Sequence, residues 1–362
     1  MKERDAAREK REEVRGQVVE TVDGRDIDPR MGTLAGEASH MDVRTPAEAH
    51  PLHGASAHPA GAAGHEASYY GLPALKPPVW KAYIPAYFFL GGAAGAAAAV
   101  GAAAQLAGGP SMRGLVAKSR LVAAFGTAAG AALLILDLGR PARFLNMMRV
   151  FRPTSPMNLG TWVVSAAGAS SAGALVLGRS TLGDAAGLVA GAAGLPLATY
   201  TAVLLASTAV PVWQGASTSL PVLFAASATT SAASILDLMP LAPAEARTVR
   251  VLGVAGKIVD LVAARAMERE LGPARARPLR EGASSMLWRA ASAMTAASLA
   301  LSLLPRRSPR LRTMTGILGA AGALTLRFAV ASAGRASAAD PRATFEPQRA
   351  ARAARRRAPG AI

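Results

Sequence analysis

Apolar residues are gathered into long segments of the chain that are separated by short polar connections. A helix of about 20 apolar residues crosses the roughly 30 Å hydrocarbon layer of a bilayer. The pattern therefore predicts eight membrane-spanning helices, with both termini on one side of the membrane. Their predicted ranges are 83–106, 118–138, 157–178, 185–210, 217–239, 247–267, 284–304 and 313–333.

The two ends of the chain differ from this apolar middle. Residues 1–66 are charged, then rich in Ala, Gly, His and Pro without apolar periodicity, which predicts a disordered extension. Residues 341–362 form a basic tail. Between them, residues 67–340 make a predicted transmembrane domain, with a first bundle at about 83–210 and a second at about 217–333. The predicted fold class is an all-α integral membrane protein with two four-helix bundles.

The second bundle contains ionisable residues within predicted spans. Because charge is costly inside a membrane, such residues imply either a function or a partner that neutralises them. The sixth predicted span is amphipathic and is expected to lie partly in the interface. Its Lys257 and Asp260 are three residues apart and so share a helix face. The candidates for a proton path or for buried ion pairs are Asp237, Lys257, Asp260 and Arg327. Neutralising ion pairs are the preferred interpretation.

Composition narrows the redox chemistry that this chain can carry by itself. The sequence has no cysteine, and all five histidines precede residue 66. A thiolate zinc site, an iron–sulfur cluster and a buried bis-histidine haem are therefore excluded. If electrons pass through the chain, they must travel between a bound diffusible molecule and clusters on another subunit.

The formal net charge of +17 comes largely from arginines in loops and in the C-terminal tail. In a membrane protein this pattern indicates orientation or contact with anionic lipid rather than nucleic-acid binding. The two sides have equal numbers of Lys and Arg in their loops, so the loops do not determine the orientation in the membrane. The charged ends of the chain favour cytoplasmic termini. The four tryptophans fall on that same side, as expected of an interfacial belt.

The connection between the second and third predicted spans is the most individual stretch of the chain. Gly139 and Pro141 supply a helix stop, which leaves Asp137 at a membrane-embedded helix end as a candidate proton-exchanging acid. An ion pair of Asp137 with Arg140 or Arg143 is an equally weighted and compatible alternative.

A short amphipathic helix is predicted just after this stop. Arg143, Asn146, Arg149 and Arg152 recur every three residues among apolar ones, which is typical of a segment that lies flat on a membrane. The arginine face formed by Arg143, Arg149 and Arg152 is the predicted docking surface for a partner subunit. Ser155 then suits an N-cap, with a proline at the first position of the third span.

Several motifs resemble the NrfD/polysulfide reductase family of integral membrane subunits. The resemblance runs in order over about residues 68–345 and is densest in the first four helices. The matching motifs are Asp137-Leu-Gly-Arg-Pro141, Arg143-Phe144, Asn146-Met147, Ser155-Pro156-Met157, Gly160-x-Trp162, Tyr83-x-Pro85-x-Tyr87-Phe-Phe-Leu-Gly-Gly92, Leu195-Pro-Leu-Ala-Thr-Tyr200 and Pro211-x-Trp213.

The resemblance implies a subunit of a multi-subunit oxidoreductase in the inner membrane of a prokaryote. Such a subunit is not catalytic alone: it exchanges electrons between menaquinone or ubiquinone and a ferredoxin-like 4Fe–4S partner, which usually serves a molybdopterin subunit. The implied reactive residues are Asp137 and Tyr200. The implied quinone-binding residues are Tyr83, Tyr87, Arg140, Asn158 and Trp162.

Two other functions remain open on the residues alone. Typical members of the family carry a polar residue, often His or Asn, in the first helix and an acid within the second. This chain has no histidine in its first helix, and Ala128-Ala-Gly-Ala-Ala132 in its second consists of small residues only. An anchor that holds its partner without quinone chemistry is therefore one alternative. A transporter is the other, although the sequence has none of the repeat symmetry that transporter halves usually share.

Overall fold

The computed structural model describes residues 75–140, 142–305 and 308–357, with side chains up to Arg349. The predictions for residues 1–66, and Pro141 of the helix stop, lie outside this part. The described residues form helices and connections without a strand. The helices are α1 (Tyr83–Ala107), α2 (Arg113–Asp137), α3 (Ala142–Met148), α4 (Pro156–Val176), α5 (Thr181–Ala206), α6 (Pro211–Gly215), α7 (Ser219–Asp237), α8 (Pro243–Arg280), α9 (Gly282–Leu303), α10 (Pro309–Ala339) and α11 (Pro341–Arg357).

Among the described residues, six helices are long and apolar enough to cross a membrane: α1, α2, α4, α5, α7 and α10. The prediction of an all-helical protein with membrane-spanning helices is confirmed. The sixth and seventh predicted spans fall on α8 and α9, which are long helices but are not among these six. The count of eight spans therefore stays a prediction.

Helix α1 is the centre of the packing and contacts α2, α5, α7 and α10. It can approach these neighbours closely because small residues line it. A methyl group added to Gly95 would lie 3.0 Å from the backbone nitrogen of Ala198 and closer still to the carbonyl oxygen of Gly194. Backbone contact of this kind is how helices associate in lipid, where burial of apolar surface gives little driving force.

The predicted boundaries around the polar connection agree with the structure in detail. Gly139 has a φ of 69°, the left-handed conformation expected of a glycine that ends a helix. The Ser155 hydroxyl accepts a hydrogen bond from the backbone N–H of Asn158, with Pro156 at the first helical position of α4. The segment between α2 and α4 is thus held at both of its ends.

Two regions depart from the predicted pattern. Helix α8 runs well past residue 267 and bends at Gly272, whose φ of 65° suits glycine alone. The segment Pro341–Arg357, predicted as a basic tail, is the helix α11. Alanine and arginine both have high intrinsic helix propensity, so the basic composition of this segment did not exclude a helix.

The predicted belt of interfacial tryptophans is wrong for two of its members. Trp213 and Trp288 are only 1% and 3% exposed, so they are packed inside the protein and do not face lipid. The indole N–H of Trp213 donates to the carbonyl oxygen of Val330 at 2.9 Å, and that of Trp288 donates to Glu268 at 2.7 Å. A tryptophan can be buried in this way because its one polar atom has a protein acceptor.

Candidate functional site

Several of the predicted site residues lie at one end of the helices. Tyr87 is in the second turn of α1, Asp137 is the last residue of α2, and Tyr200 is in the last two turns of α5. Because α1 runs antiparallel to α2 and to α5, these positions meet at the same end of the protein as the first turns of α4. The polar connection between α2 and α4 lies at that end too.

The phenol rings of Tyr87 and Tyr200 come together there. Their side chains interact with one another, which puts a residue of α1 beside a residue of α5. Tyr87 is 2% exposed and Tyr200 is half-buried. The resemblance implied roles for both residues, and the structure gives them a common location.

Two glycines make room for the tyrosine pair. The Tyr200 ring lies directly over the Cα of Gly160 in α4, and Tyr87 packs against Gly130 in α2, where an added methyl group would lie 3.3 Å from the ring. Gly160 belongs to the Gly160-x-Trp162 motif, although nothing in the motif itself predicted why this position is a glycine. Nothing in the sequence marked Gly130 among the many small residues of α2.

The site contains buried hydrogen-bond donors that no protein group satisfies. Among the described residues, neither the Tyr87 hydroxyl nor the indole N–H of Trp162 has a partner in hydrogen-bond geometry. The interaction of Tyr87 with Tyr200 therefore falls short of an ordinary hydrogen bond. Buried polar groups are nearly always paired in folded proteins, so unpaired donors at one end of a helix bundle are unusual. A ligand with carbonyl or hydroxyl oxygens could satisfy them.

Asp137 is half-buried at the end of α2, and Arg140 is exposed just beyond it. Within the described residues Asp137 forms no ion pair with Arg140 or Arg143. The guanidinium group of Arg143 instead donates to the carbonyl oxygen of Leu138 at 3.4 Å, which caps the end of α2. The carboxylate of Asp137 is thus not neutralised by either of these two arginines.

The side-chain amide of Asn158 is hydrogen-bonded to nearby backbone groups. Its Nδ2 donates to the carbonyl oxygens of Met147 and Val150 at 2.8 and 2.9 Å, and its Oδ1 accepts from the N–H of Arg152 at 2.8 Å. These three bonds tie the end of α3 and the following turn to the first turn of α4. The side chain of Asn158 therefore holds the connection in shape, and its predicted contact with quinone stays a prediction.

Helix α3 presents different faces to the protein and to its surroundings. The sulfur atoms of Met147 and Met148 accept hydrogen bonds from Thr161 and Ser165 of α4. Phe151 meets the Trp162 ring edge to face, with centroids 5.9 Å apart. The three arginines of the predicted docking surface are exposed, but only Arg143 lies on α3, because that helix ends at Met148 and Arg149 and Arg152 follow it. Tyr83, one turn before Tyr87, is also 39% exposed.

The four candidate ionisable residues of the second half are all buried: Asp237, Lys257, Asp260 and Arg327. Lys257 donates to the hydroxyl of Ser302 at 2.9 Å. Arg327 donates to the carbonyl oxygen of Phe224 and lies 3.7 Å from the centroid of its ring. Asp260 interacts electrostatically with Arg327, without a direct ion pair between them among the described contacts. Lys257 and Asp260 thus each interact with a residue of a neighbouring helix.

Comparison with known proteins bears on the first half of this architecture. No curated protein matches the chain. The family model described as polysulphide reductase, NrfD matches residues 73–178, which contain α1 to α4 and the polar connection, and this confirms over that range the family resemblance predicted from the motifs.

Proposed function

We propose that the chain is the quinone-reactive membrane subunit of a redox complex and exchanges electrons between menaquinone or ubiquinone and an iron–sulfur partner. The observation that carries the proposal is the buried Tyr87 hydroxyl. It lies beside Tyr200, at the end of the helices where Asp137 lies, and has no acceptor in hydrogen-bond geometry among the described residues. A quinone ring presents two oxygen atoms that need such donors. The match of residues 73–178 to a family of redox-complex membrane subunits supports the same function.

Quinone chemistry requires a proton-exchanging group as well as hydrogen-bond donors. Oxidation of a quinol releases two protons with two electrons, and reduction of a quinone takes up both. In the proposal, Tyr87 and Tyr200 bind and orient the ring oxygens. Asp137, half-buried at the end of α2, accepts the two protons of the quinol one after the other and passes each to water. The two electrons leave for the iron–sulfur partner, and the same groups serve the reverse reaction.

The partner is proposed to dock on the arginine face of Arg143, Arg149 and Arg152. These side chains are exposed next to the turn that Asn158 fixes, at the end of the helices that holds the tyrosine pair. A ferredoxin-like 4Fe–4S subunit docked there would be close to the quinone, and a molybdopterin subunit would be bound through it. In this arrangement the termini are cytoplasmic and the membrane is the plasma membrane.

The proposal also retains eight spans in two four-helix bundles. Pairwise packing supports it, because α8 and α9 contact one another and also contact α7 and α10, respectively, in the second half. The charges in the middle of α8, Lys257 and Asp260, are buried inside the protein, whereas charges nearer the helix ends, such as Arg247 and Arg289, are exposed. Moderate hydropathy is sufficient for a helix whose polar groups are shielded in this way.

The test is quinol oxidation by the complete complex in membranes. Asp137→Asn and Tyr200→Phe should each lower turnover, whereas Thr199→Val, which removes a neighbouring hydroxyl that bonds to the backbone of its own helix, should not. Unchanged turnover in both of the first two variants would remove this site assignment. A chain that copurifies with an iron–sulfur protein but does not bind quinone would instead be an anchor, and absence of any such protein would favour a transporter.

A further inference from the structure

A cavity of about 450 Å³ opens at the other end of the first four long helices. Its walls come from the end of α1, the start of α2, the end of α4 and the start of α5. The volume lies within the roughly 300–1,000 Å³ of ordinary ligand sites. The tyrosine pair lies at the opposite helix ends, so this cavity is not part of the proposed quinone site.

The lining of the cavity is basic. It includes Arg113, Arg120 and Arg179 against the single carboxylate of Asp184, a formal excess of two positive charges. Arg113 and Arg179 are exposed at its rim, and neither guanidinium group has a hydrogen bond or ion pair with any residue that the structure describes. Two arginines that share a cavity without a protein acceptor favour an anionic ligand between them.

The third arginine is fixed in the wall. Arg120 is 8% exposed and donates to Gln105 at 2.9 Å, to Asp184 at 2.7 Å and to the carbonyl oxygens of Ala174 and Gly178. These bonds join α1, α2, α4 and α5 around one guanidinium group, so the cavity keeps its shape without a ligand. The Asp184 side chain is half exposed, which weakens its neutralising effect on the rim.

We propose that this cavity binds the phosphate group of an anionic ligand through Arg113 and Arg179, with Arg120 as a fixed positive wall. Guanidinium groups match the geometry of phosphate oxygens, which can accept two parallel hydrogen bonds. The cavity lies at the ends of four helices that are each long and apolar enough to cross a membrane, which is where lipid headgroups are expected. Basic pockets between membrane helices are known to bind anionic headgroups, so the phosphate can come from a lipid or from solution.

The test uses the full-length chain in neutral detergent, titrated with phosphatidylglycerol, phosphatidylcholine or inorganic phosphate. Binding is followed as a rise in the thermal unfolding midpoint, because a ligand of the folded state stabilises it. The test variant is Arg113→Gln with Arg179→Gln. The matched control is Arg247→Gln with Arg310→Gln. These two exposed arginines lie near the first turns of α8 and α10, at the same end of the helices as the cavity, and do not line it.

Phosphatidylglycerol should stabilise the wild type and the control alike, whereas the test variant should need about 30-fold more lipid for the same shift. If inorganic phosphate reproduces the effect with the same dependence on the arginines, the ligand is a soluble anion and the site stands. An equal response of all three proteins, an equal loss in test variant and control, or an equal response to phosphatidylcholine would overturn the proposal. None of these results depends on quinone chemistry, so the proposed function can fail independently.

Discussion

The position of the Tyr200 hydroxyl can be tested by filling the space beneath it with a single methyl group. In Gly160→Ala the new methyl would lie 2.5 Å from Cε2 of Tyr200, and closer to its Cζ and hydroxyl oxygen. Ordinary contacts begin at about 3.4 Å. The ring must therefore move by at least about 1 Å, because the interior is too closely packed for the backbone of α4 to give way.

A displacement of that size has a large expected effect on the reaction and a smaller one on the fold. A misplacement of about 1 Å in a reacting group can lower a rate by about 100-fold. Overpacking of this kind costs about 1–3 kcal/mol of stability. We therefore expect Gly160→Ala to remain folded, to lower quinol oxidation by the complex by about 100-fold, and to weaken quenching of tryptophan fluorescence by a bound quinone.

The chain offers a matched control for this experiment. Gly168 lies two turns further along the same helix, and a methyl group added there would have no atom within 4 Å. Gly168→Ala should leave turnover unchanged. If both glycine variants act alike, or if Gly160→Ala is as active as the wild type while its melting curve is normal, the hydroxyl of Tyr200 has no role in the reaction. In a Tyr200→Phe background the Gly160→Ala change should cost much less, because both act through one hydroxyl.

Three further predictions concern the scaffold. Arg120→Gln should lower stability by about 2–4 kcal/mol, because carbonyl groups of α4 and of the turn after it lose a buried donor, whereas Arg113→Gln should not; thermal unfolding compares them. Burial raises the pKa of Glu245, but hydrogen bonds from Lys118 and from a backbone N–H outweigh it and hold that pKa below the ordinary value of 4.5. Its contribution is therefore full above about pH 4.5 and lost as the pH falls further, so Glu245→Gln should be less stable at neutral pH and should flatten that part of the acid unfolding curve. Asn158→Asp should loosen α3 by replacing a double donor with an acceptor, which copurification of the iron–sulfur partner would detect as weaker binding.

The positions of the helices could be predicted because each rests on a local pattern. The N-cap at Ser155 and the positive φ of Gly139 follow from the preferences of those residue types at helix ends. The predicted ranges of the spans differ from the observed helices mainly at their ends. The length of α8 was not predictable from hydropathy, since its extension past residue 267 is polar and continues through Gly272.

Contacts between helices were not predictable in the same way. The burial of Trp213 depends on an acceptor at Val330, more than a hundred residues away, and on the absence of a side chain at Gly334. Nor could the sequence tell that the amide of Asn158 would be occupied by the backbone of α3. Such hydrogen bonds depend on which helices become neighbours. A tryptophan or an asparagine at a helix end has the same local sequence whether its side chain is buried against another helix or exposed.

The candidate site extends past the end of the family match at residue 178. Tyr87, Asp137 and Gly160 lie inside the matched range, whereas Tyr200 is contributed by α5, which follows it. The close contact of Gly95 with Gly194 fixes α5 against α1, and Tyr200 follows that contact by less than two turns. Tyr200 can therefore reach Tyr87 only while these two glycines keep the helices in contact. Small residues without chemistry of their own thus position the proposed reactive groups.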